Sequence, residues 1–394
     1  MGRRAKDVDF IGSHLAEIRR FREKSQIDLA AEIGVSREMI RQYESGQKHP
    51  SREVLLRIAG VLQMPMTYFT EHLWEIPGHE TPVFFRRQKK TPAPVRDGLM
   101  VYHRWLENIF AFLETYIQFP EFPGLWAVCE ADPRDAVEPD DIEDYANHTR
   151  LRWNLGLGPI SNVMLLLEKY GVIIGSSPTH HQTIDACSRR KGPRGLILLT
   201  LSKTAVRHRF DVAHELGHLV LHHQVTYDDL LADPGGFDRW EKEANRFASA
   251  FLMPQESFVR EFSSTNPQSL IRLKSRWKVS MQALVERAFS LQLIDDTDRQ
   301  RFHQTMRQKG WNFREPLDDE IPSEVPTMLA KAVNLLFRQG ILSKEDLLRQ
   351  LPLPRRDVFR LIGVEDSQWA EPPLPLSVVS RSPNRIMKRG GKTR

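Results

Sequence analysis

The chain has 394 residues, of which 40% are apolar and 27% are charged, and this excludes both a single small domain and a mainly disordered protein. Its two cysteines, Cys129 and Cys187, exclude a disulfide framework and favour a reducing compartment. No apolar run reaches the roughly 18 residues of a membrane span, and the first residues lack the apolar core of a signal peptide, so we expect a soluble cytoplasmic protein.

The net charge of +5 is unevenly distributed along the chain. Residues 1–70 carry 12 Lys/Arg against 9 Asp/Glu, and residues 372–394 carry six Lys/Arg and no acidic residue. The rest of the chain is therefore net acidic. This pattern predicts that a polyanion binds at one end of the chain, although ordinary solubility explains the charge alone equally well.

Residues 12–69 predict a series of short helices, because apolar residues recur at helical spacing. Gly34 supplies a tight turn between two of them, and Ser36 is a good N-cap for the second. The outward face of that second helix fits the major groove of double-stranded DNA. Together with the start of the preceding helix, the candidate DNA-contacting residues are Gln26, Ser36, Arg37, Glu38, Arg41 and Gln42.

This segment resembles the Cro/C1-type (XRE-like) helix-turn-helix family, which implies DNA binding and a possible homodimer on two-fold operators. The resemblance is carried by Leu15, Arg19, Gln26, Leu29, Ala30, Gly34, Val35, Ser36, Ile40, Tyr43, Glu44, Gly46, Pro50, Ser51, Leu55, Ile58, Ala59 and Leu62. The acidic residues Glu32 and Glu38 are a departure, since Glu38 could accept from a cytosine amine or could weaken phosphate contacts. The alternative is a helical module that contacts only proteins.

A Pro-rich, basic stretch at 76–98 predicts a connector, and helical patterns follow it. Short apolar or β-branched strands are predicted at 171–177, 183–188 and 195–202, before the chain becomes helical again. The tail is rich in Pro, Ser and Arg, and we expect it to be disordered beyond about residue 374.

Residues 209–223 read RFDVAHELGHLVLHH. His214 and His218 are four residues apart, so both lie on one helical face and can bind one Zn²⁺. Glu215 beside them is the candidate general base, since a carboxylate can take a proton from water that zinc activates. The alternative is a helix with ordinary surface histidines.

A catalytic zinc usually has three protein ligands, and a carboxylate on a second helix is the best candidate for the third. The helix predicted over 240–254 carries Glu243 on the face of Phe247, Ala250 and Phe251, where an unpaired carboxylate would be costly. Glu241 is nearly opposite and is the less favoured alternative. The expected metal ligands are therefore His214, His218 and Glu243.

The motif HELGHLVLHH, followed by EKEANRFASAFLMP, resembles the ImmA/IrrE-type metallopeptidase family. In that family the two motif histidines and a downstream Glu before Ala bind zinc, and the motif Glu is the base. This implies His214, His218 and Glu243 as ligands and Glu215 as base. Members of the family cleave or inactivate Cro/C1-type repressors, which implies a protein substrate of that kind.

These features predict an α+β, mostly helical chain, in which an N-terminal all-α helix-turn-helix domain precedes a zincin-like metallopeptidase domain with a small sheet. The expected segments are the DNA-binding domain at 10–72, a connector at 73–98, a helical linker region at 99–158, the metallopeptidase domain at 159–313, a C-terminal helical region at 314–374 and a disordered basic tail at 375–394.

Three functions remain open. The first is a DNA-binding transcriptional regulator with a working zinc peptidase, and the intact HExxH motif favours it. The second is an antitoxin-like or phage-type regulator whose zincin-like domain senses or binds a partner without proteolysis. The third is a peptidase that uses its first module to dock onto repressors. If the chain cleaves itself, the proline-free window 83–90 is the expected place, whereas the family resemblance favours cleavage in trans.

Overall fold

The structure, a computed structural model, describes residues 10–85, 92–122, 132, 135–176, 185–200, 204–233 and 235–364. The first part is helical and comprises α1 (Gly12–Phe21), α2 (Gln26–Ile33), α3 (Arg37–Glu44), α4 (Arg52–Leu62) and a 3-10 turn (Met66–Phe69). Gly34 has φ 73°, the left-handed conformation that ends α2, and the Ser36 hydroxyl accepts from the backbone N–H of Met39 at 3.2 Å. Sequence-encoded caps thus set the angle between α2 and α3.

A four-stranded sheet of order β1-β3-β4-β2 lies at the centre of the following part. Its strands are β1 (Phe84–Phe85), β2 (Ile173–Ser176), β3 (Ala186–Lys191) and β4 (Arg194–Leu199). Strands β3 and β4 form an antiparallel hairpin, β2 pairs in parallel with β4, and β1 pairs antiparallel with β3. The strand β1 comes from the segment for which the sequence predicts a connector that could also pair with a sheet edge.

Helices cover the sheet, and the predicted mostly helical α+β class is confirmed. The first of these helices are α5 (Ala93–Glu114), α6 (Pro139–Arg152), α7 (Val163–Lys169), α8 (Ala205–Leu221), α9 (Tyr227–Ala232) and α10 (Gly236–Leu252). They are followed by α11 (Gln255–Glu261), α12 (Pro267–Trp277), α13 (Met281–Ser290), α14 (Asp296–Gln308), α15 (Met328–Arg338), α16 (Lys344–Gln350) and α17 (Arg355–Ile362). Among the helices of the described ranges, none combines the length and apolar character needed to cross a membrane.

The long helix α5 joins the N-terminal helices to the rest of the molecule. Trp105 at its centre is fully buried and contacts Phe21 of α1 and Tyr68 at ring-centroid distances of 5.5 and 6.3 Å. The same apolar core includes α15 and α17. The region expected as a helical linker therefore contains a core helix, and the C-terminal helical region packs back against it. The tail expected at 375–394 lies outside the described residues, as do 86–91 of the connector.

A second apolar core contains the face of the sheet that α8 covers, together with α10, α12 and α13. A buried ion pair crosses it, in which the Arg287 guanidinium of α13 donates two hydrogen bonds, of 2.6 and 2.8 Å, to the Glu143 carboxylate of α6. Arg287 also donates to the backbone carbonyl of Met253 at 3.0 Å. This network fixes the helices that surround α10.

We expect Glu143→Gln to lower the free energy of unfolding by about 3 to 5 kcal/mol, because it leaves the Arg287 guanidinium buried without its carboxylate. Urea denaturation followed by circular dichroism measures this change. The matched control is Glu256→Gln, which removes the carboxylate of an exposed pair with Arg260 and should leave the unfolding midpoint nearly unchanged. Equal midpoints for the two variants would show that the buried pair is not a structural requirement.

Candidate metal centre and DNA-contacting helix

Helix α8 carries the HExxH motif, and α10 crosses it at Gly217. A Cβ at Gly217 would lie 3.1 Å from the Cα and the carbonyl oxygen of Ala244 and 3.2 Å from the Cβ of Phe247. A side chain at this position would therefore push the two helices apart. The small residues at the crossing let α10 approach α8 closely, so that side chains one turn before Ala244 reach the motif histidines.

Three ligand atoms converge beside this crossing. They belong to His214, His218 and Glu241, and all lie within 4.8 Å of one another. The Nε2 atoms of the two histidines are 3.1 Å apart, and the Glu241 carboxylate oxygens lie 3.2 Å from His218 Nε2 and 3.5 Å from His214 Nε2. Within the described parts of the chain, this is the one such group of at least three potential ligands.

Hydrogen bonds at the Nδ1 atoms of the two histidines orient the imidazole rings, so that their Nε2 lone pairs face the cluster. Asn245 donates through its amide nitrogen to the Glu241 carbonyl at 2.7 Å, so its oxygen accepts from His214 Nδ1 at 3.1 Å. His218 Nδ1 lies 2.9 Å from His222 Nδ1, and His222 Nε2 donates to Glu243 Oε2 at 2.9 Å. In this order of donors, His218 Nδ1 donates to His222 and His218 Nε2 carries a lone pair.

The structure places Glu243 away from the expected ligand position. Its carboxylate accepts from His222 Nε2 and, at 3.1 Å, from the backbone N–H of Val137. Glu243 lies on the buried face of α10 with Phe247, Ala250 and Phe251, as the sequence argument predicts, but there it meets His222 and Val137. Glu241 lies about 160° from Glu243 around the helix at 3.6 residues per turn, on the side of the motif histidines. Glu241 therefore takes the place expected for Glu243 in the cluster, and Glu243 reaches it only through His222.

This donor set fits a divalent cation. Two imidazole lone pairs and a carboxylate face one another across distances of 3.1 to 3.5 Å, and the Glu241 oxygens have no hydrogen-bond donor among the described residues. Burial lowers the pKa of His218 to about 3, so its imidazole is neutral, as a metal ligand must be.

Glu215 follows His214 on the inner side of α8, where it is 2% exposed. Burial raises the pKa of Glu215 to about 8. A small cavity beside Glu215 and His214 is lined by Asp185, Ala186, Phe210, Asp211 and Asn245. A wider cleft between α8, α10 and α13 shares Phe210, Asp211 and Asn245 with this cavity, so the cavity lies next to a space that a larger molecule could occupy.

The predicted DNA-contacting residues lie on α2 and α3, and most of them are exposed. Glu38 accepts from Arg41 at 2.6 and 2.9 Å and from Gln42 at 2.9 Å, and the pairing with Arg41 lowers the pKa of Glu38 to about 2. Gln26 donates to Glu44 at 2.7 Å. Arg37 is exposed at the start of α3. The negative charge of Glu38, which departs from the family pattern, is thus compensated by Arg41 on the same helix.

Comparison with known proteins identifies both parts of the chain. Residues 15–69 match the family model described as helix-turn-helix, and residues 167–289 match the Peptidase_M78 model, described as the IrrE N-terminal-like domain. The crystal structure of Bacillus thuringiensis PlcR in complex with the peptide PapR7 and DNA is similar at 13% identity, over 91% of this chain and 89% of that chain, with a TM-score of 0.16. A score of this size does not establish a shared fold. No curated protein matches significantly.

The two matches indicate the class of each part, a DNA-binding helix-turn-helix segment and a zincin-like peptidase segment. More specifically, residues 15–69 are similar to XRE-type helix-turn-helix domains and residues 167–289 to IrrE/ImmA-like domains. This confirms the resemblance that the sequence motifs indicated. The sequence analysis ranks Glu241 below Glu243 and does not anticipate the contacts of His222 and Asn245, and the pairing of small residues at 217 and 244 is the signal that could have favoured Glu241.

Proposed function

We propose that this chain is a DNA-binding transcriptional regulator whose second domain is a zinc-dependent peptidase, with a Cro/C1-type repressor as the candidate substrate. The observation that carries the peptidase assignment is the convergence of His214, His218 and Glu241 next to Glu215. The match to the IrrE N-terminal-like domain supports the same assignment. A homodimer on a two-fold operator is part of the proposal, because helix-turn-helix modules commonly bind DNA in this form.

In this proposal His214 Nε2, His218 Nε2 and a Glu241 carboxylate oxygen hold Zn²⁺. A bound zinc ion supplies Lewis-acid chemistry, which polarises a carbonyl and lowers the pKa of water to about 7. Asn245 and the pair His222–Glu243 orient the two imidazoles from behind. Such second contacts commonly change metal affinity by about 10- to 100-fold.

The remaining chemistry belongs to Glu215. Its side chain is buried beside the cluster, and a cation bound there would favour the ionised form against the effect of burial. The ionised carboxylate accepts a proton from water and later returns it to the leaving amine. The wider cleft adjoins the cavity that Glu215 lines, through the shared residues Phe210, Asp211 and Asn245. Its polar lining includes both Lys242 and Asp211, so its charge alone does not select one sign of substrate.

The peptidase proposal is tested by incubating the zinc-loaded chain with a purified Cro/C1-type repressor and, separately, with an unrelated folded protein. Mass spectrometry of the products identifies any cleaved bond. Cleavage confined to the repressor supports the proposal. A repressor that binds to the chain and stays intact, with a full equivalent of zinc present, would favour the partner-sensing alternative. Self-cleavage within 83–90 would be detected in the same spectra, although residues 86–90 lie outside the described part of the chain.

The DNA-binding proposal predicts that Arg41→Ala weakens operator binding on the order of 10- to 100-fold if Arg41 contacts a base, and that it relaxes specificity at one position. Fluorescence anisotropy at several salt concentrations measures this effect on the full chain. Arg260→Ala, which removes the same charge from the exposed surface of α11, is the matched control. Equal weakening on every DNA sequence would identify Arg41 as a phosphate contact, and unchanged binding would remove it from the interface.

A further inference from the structure

A segment of the chain covers the outer edge of β3. The His79 carbonyl accepts from the Gly192 N–H at 2.7 Å, and the Thr81 N–H donates to the Arg190 carbonyl at 3.0 Å. The Thr81 hydroxyl accepts from the Arg190 N–H at 2.9 Å, and Phe84 of β1 pairs with Ser188. Residues 79–85 therefore run antiparallel along almost the whole of β3.

This segment also places an aromatic ring directly on the candidate metal centre. The Phe84 ring stacks on the His218 imidazole, with centroids 4.7 Å apart and an interplanar angle of 11°. It meets the Trp240 ring edge-on at 6.1 Å and packs in a small apolar cluster with Val225 and Phe237. Phe84 is only 2% exposed, so its ring fills a pocket whose wall is a proposed zinc ligand.

The edge of a sheet is where proteins bind extended peptides, since its unpaired N–H and C=O groups can pair with an added strand. The strand β3 begins at Ala186, which also lines the cavity beside Glu215. A peptide that lies on this edge in the direction of β1 is thus led from the Phe84 pocket towards that cavity. The edge and the cavity thus meet at Ala186.

We infer that residues 79–85 are an internal competitor, because they occupy the outer edge of β3, along which an extended peptide would pair, and because Phe84 fills the pocket that would accept an aromatic side chain of that peptide. The inference rests on the proposed function, because it takes the site to be one that binds peptides. It adds the class of ligand, an extended segment with an aromatic residue, and explains how the chain limits access.

Two features weaken the pairing of the internal strand with β3, although Thr81, Val83 and Phe84 are buried. Regular pairing with β3 is interrupted at Pro82, which has no N–H to donate, and β1 itself has only two residues. At the other end, Glu80 accepts from Lys191 at 3.1 Å, but its side chain is 39% exposed. A tethered segment of this kind competes at an effective concentration in the millimolar range. A free peptide of equal intrinsic affinity therefore binds poorly until the tethered copy is weakened.

The test is peptide binding to the full, zinc-loaded chain in the Glu215→Gln background, so that binding does not depend on turnover. The probe is a fluorescein-labelled peptide of the sequence of residues 78–85, GHETPVFF, and its binding is followed by anisotropy. We expect Phe84→Ala to tighten binding of this peptide at least 10-fold. Phe119→Ala, which removes an equally buried ring that contacts Phe110, should leave it unchanged.

A second peptide, with Ala at the position of Phe84, should show no such gain, because it cannot fill the pocket. A milder variant, Thr81→Val, removes the hydroxyl that accepts from Arg190 and keeps the Phe84 ring, so it gives the same direction of change if Phe84→Ala does not fold. The inference is overturned if both variants fold, retain zinc and bind the peptide no better than the parent. It also fails if the two peptides bind equally well.

The outcomes separate this inference from the proposed function. If the parent chain cleaves the repressor but the peptide binds no variant more tightly, the peptidase proposal stands and the internal competitor is rejected. If peptide binding responds as expected while no protein is cleaved, the β3 edge is a peptide-binding site and the catalytic assignment is rejected.

Discussion

Glu241→Gln is expected to reduce the zinc content of the purified chain to near zero, whereas Glu243→Gln is expected to keep one equivalent. The reason is that the Glu241 carboxylate faces both His214 and His218, while Glu243 reaches the cluster only through His222. Losing one of three protein ligands removes the site, and losing an outer contact weakens zinc binding by about 10- to 100-fold. Inductively coupled plasma mass spectrometry measures the zinc content, and competition with a chromophoric chelator measures the affinity for zinc.

His218→Ala provides the reference for complete loss, because it removes a histidine that the sequence predicts as a ligand and that the structure places in the cluster. Glu241→Gln and Glu243→Gln are matched variants. Each removes one carboxylate charge from α10, and the two positions are two residues apart. The reverse result, with full zinc in Glu241→Gln and none in Glu243→Gln, would restore the ligand set expected from the sequence. A full equivalent of zinc in His218→Ala would reject the site altogether.

The N-terminal helices and the HExxH helix could be predicted from sequence because local physics determines them. The turn at Gly34 and the cap at Ser36 specify the relation between α2 and α3 without help from the rest of the chain. The spacing of His214 and His218 places both on one face of any helix. These features depend on residues a few positions apart, which is the range over which a single sequence is informative.

Which carboxylate meets the motif histidines depends on a contact between residues far apart in sequence, and this is why the sequence argument favoured Glu243 while the structure brings Glu241 to them. Which of Glu241 and Glu243 faces the histidines is determined by the crossing of α8 and α10 at Gly217 and Ala244. An apolar pattern on α10 alone does not reveal that crossing, because the helix is buried over a wide face.

The connector shows the same limit in another way. Its prolines and basic residues are typical of an exposed link, and composition predicts nothing else. The structure nevertheless pairs Phe84 with Ser188 of β3, because an open sheet edge and a pocket beside His218 are available to it. An exposed strand edge is stabilised by any segment that can reach it. Such pairing is a property of the fold and leaves only a weak trace in the sequence.

Glu215→Gln is expected to abolish most peptidase activity, with a loss of about 10²- to 10⁴-fold in turnover, while one equivalent of zinc remains bound. Glutamine keeps the shape of the side chain within its buried position but cannot accept a proton from water, so the chemical step loses its base. The metal ligands His214, His218 and Glu241 are unchanged. Initial rates on the repressor substrate, measured together with zinc content on the same preparation, provide the test.

Zinc content must be measured together with activity, because loss of activity alone would not distinguish a missing base from a missing metal. Glu241→Gln should lose both activity and zinc, whereas Glu215→Gln should lose activity and keep its zinc. Glu256→Gln, on the exposed surface of α11, should keep both. If Glu215→Gln cleaves the repressor at the rate of the parent chain, another group accepts the proton. The buried carboxylate beside the cluster would then serve only the structure of α8.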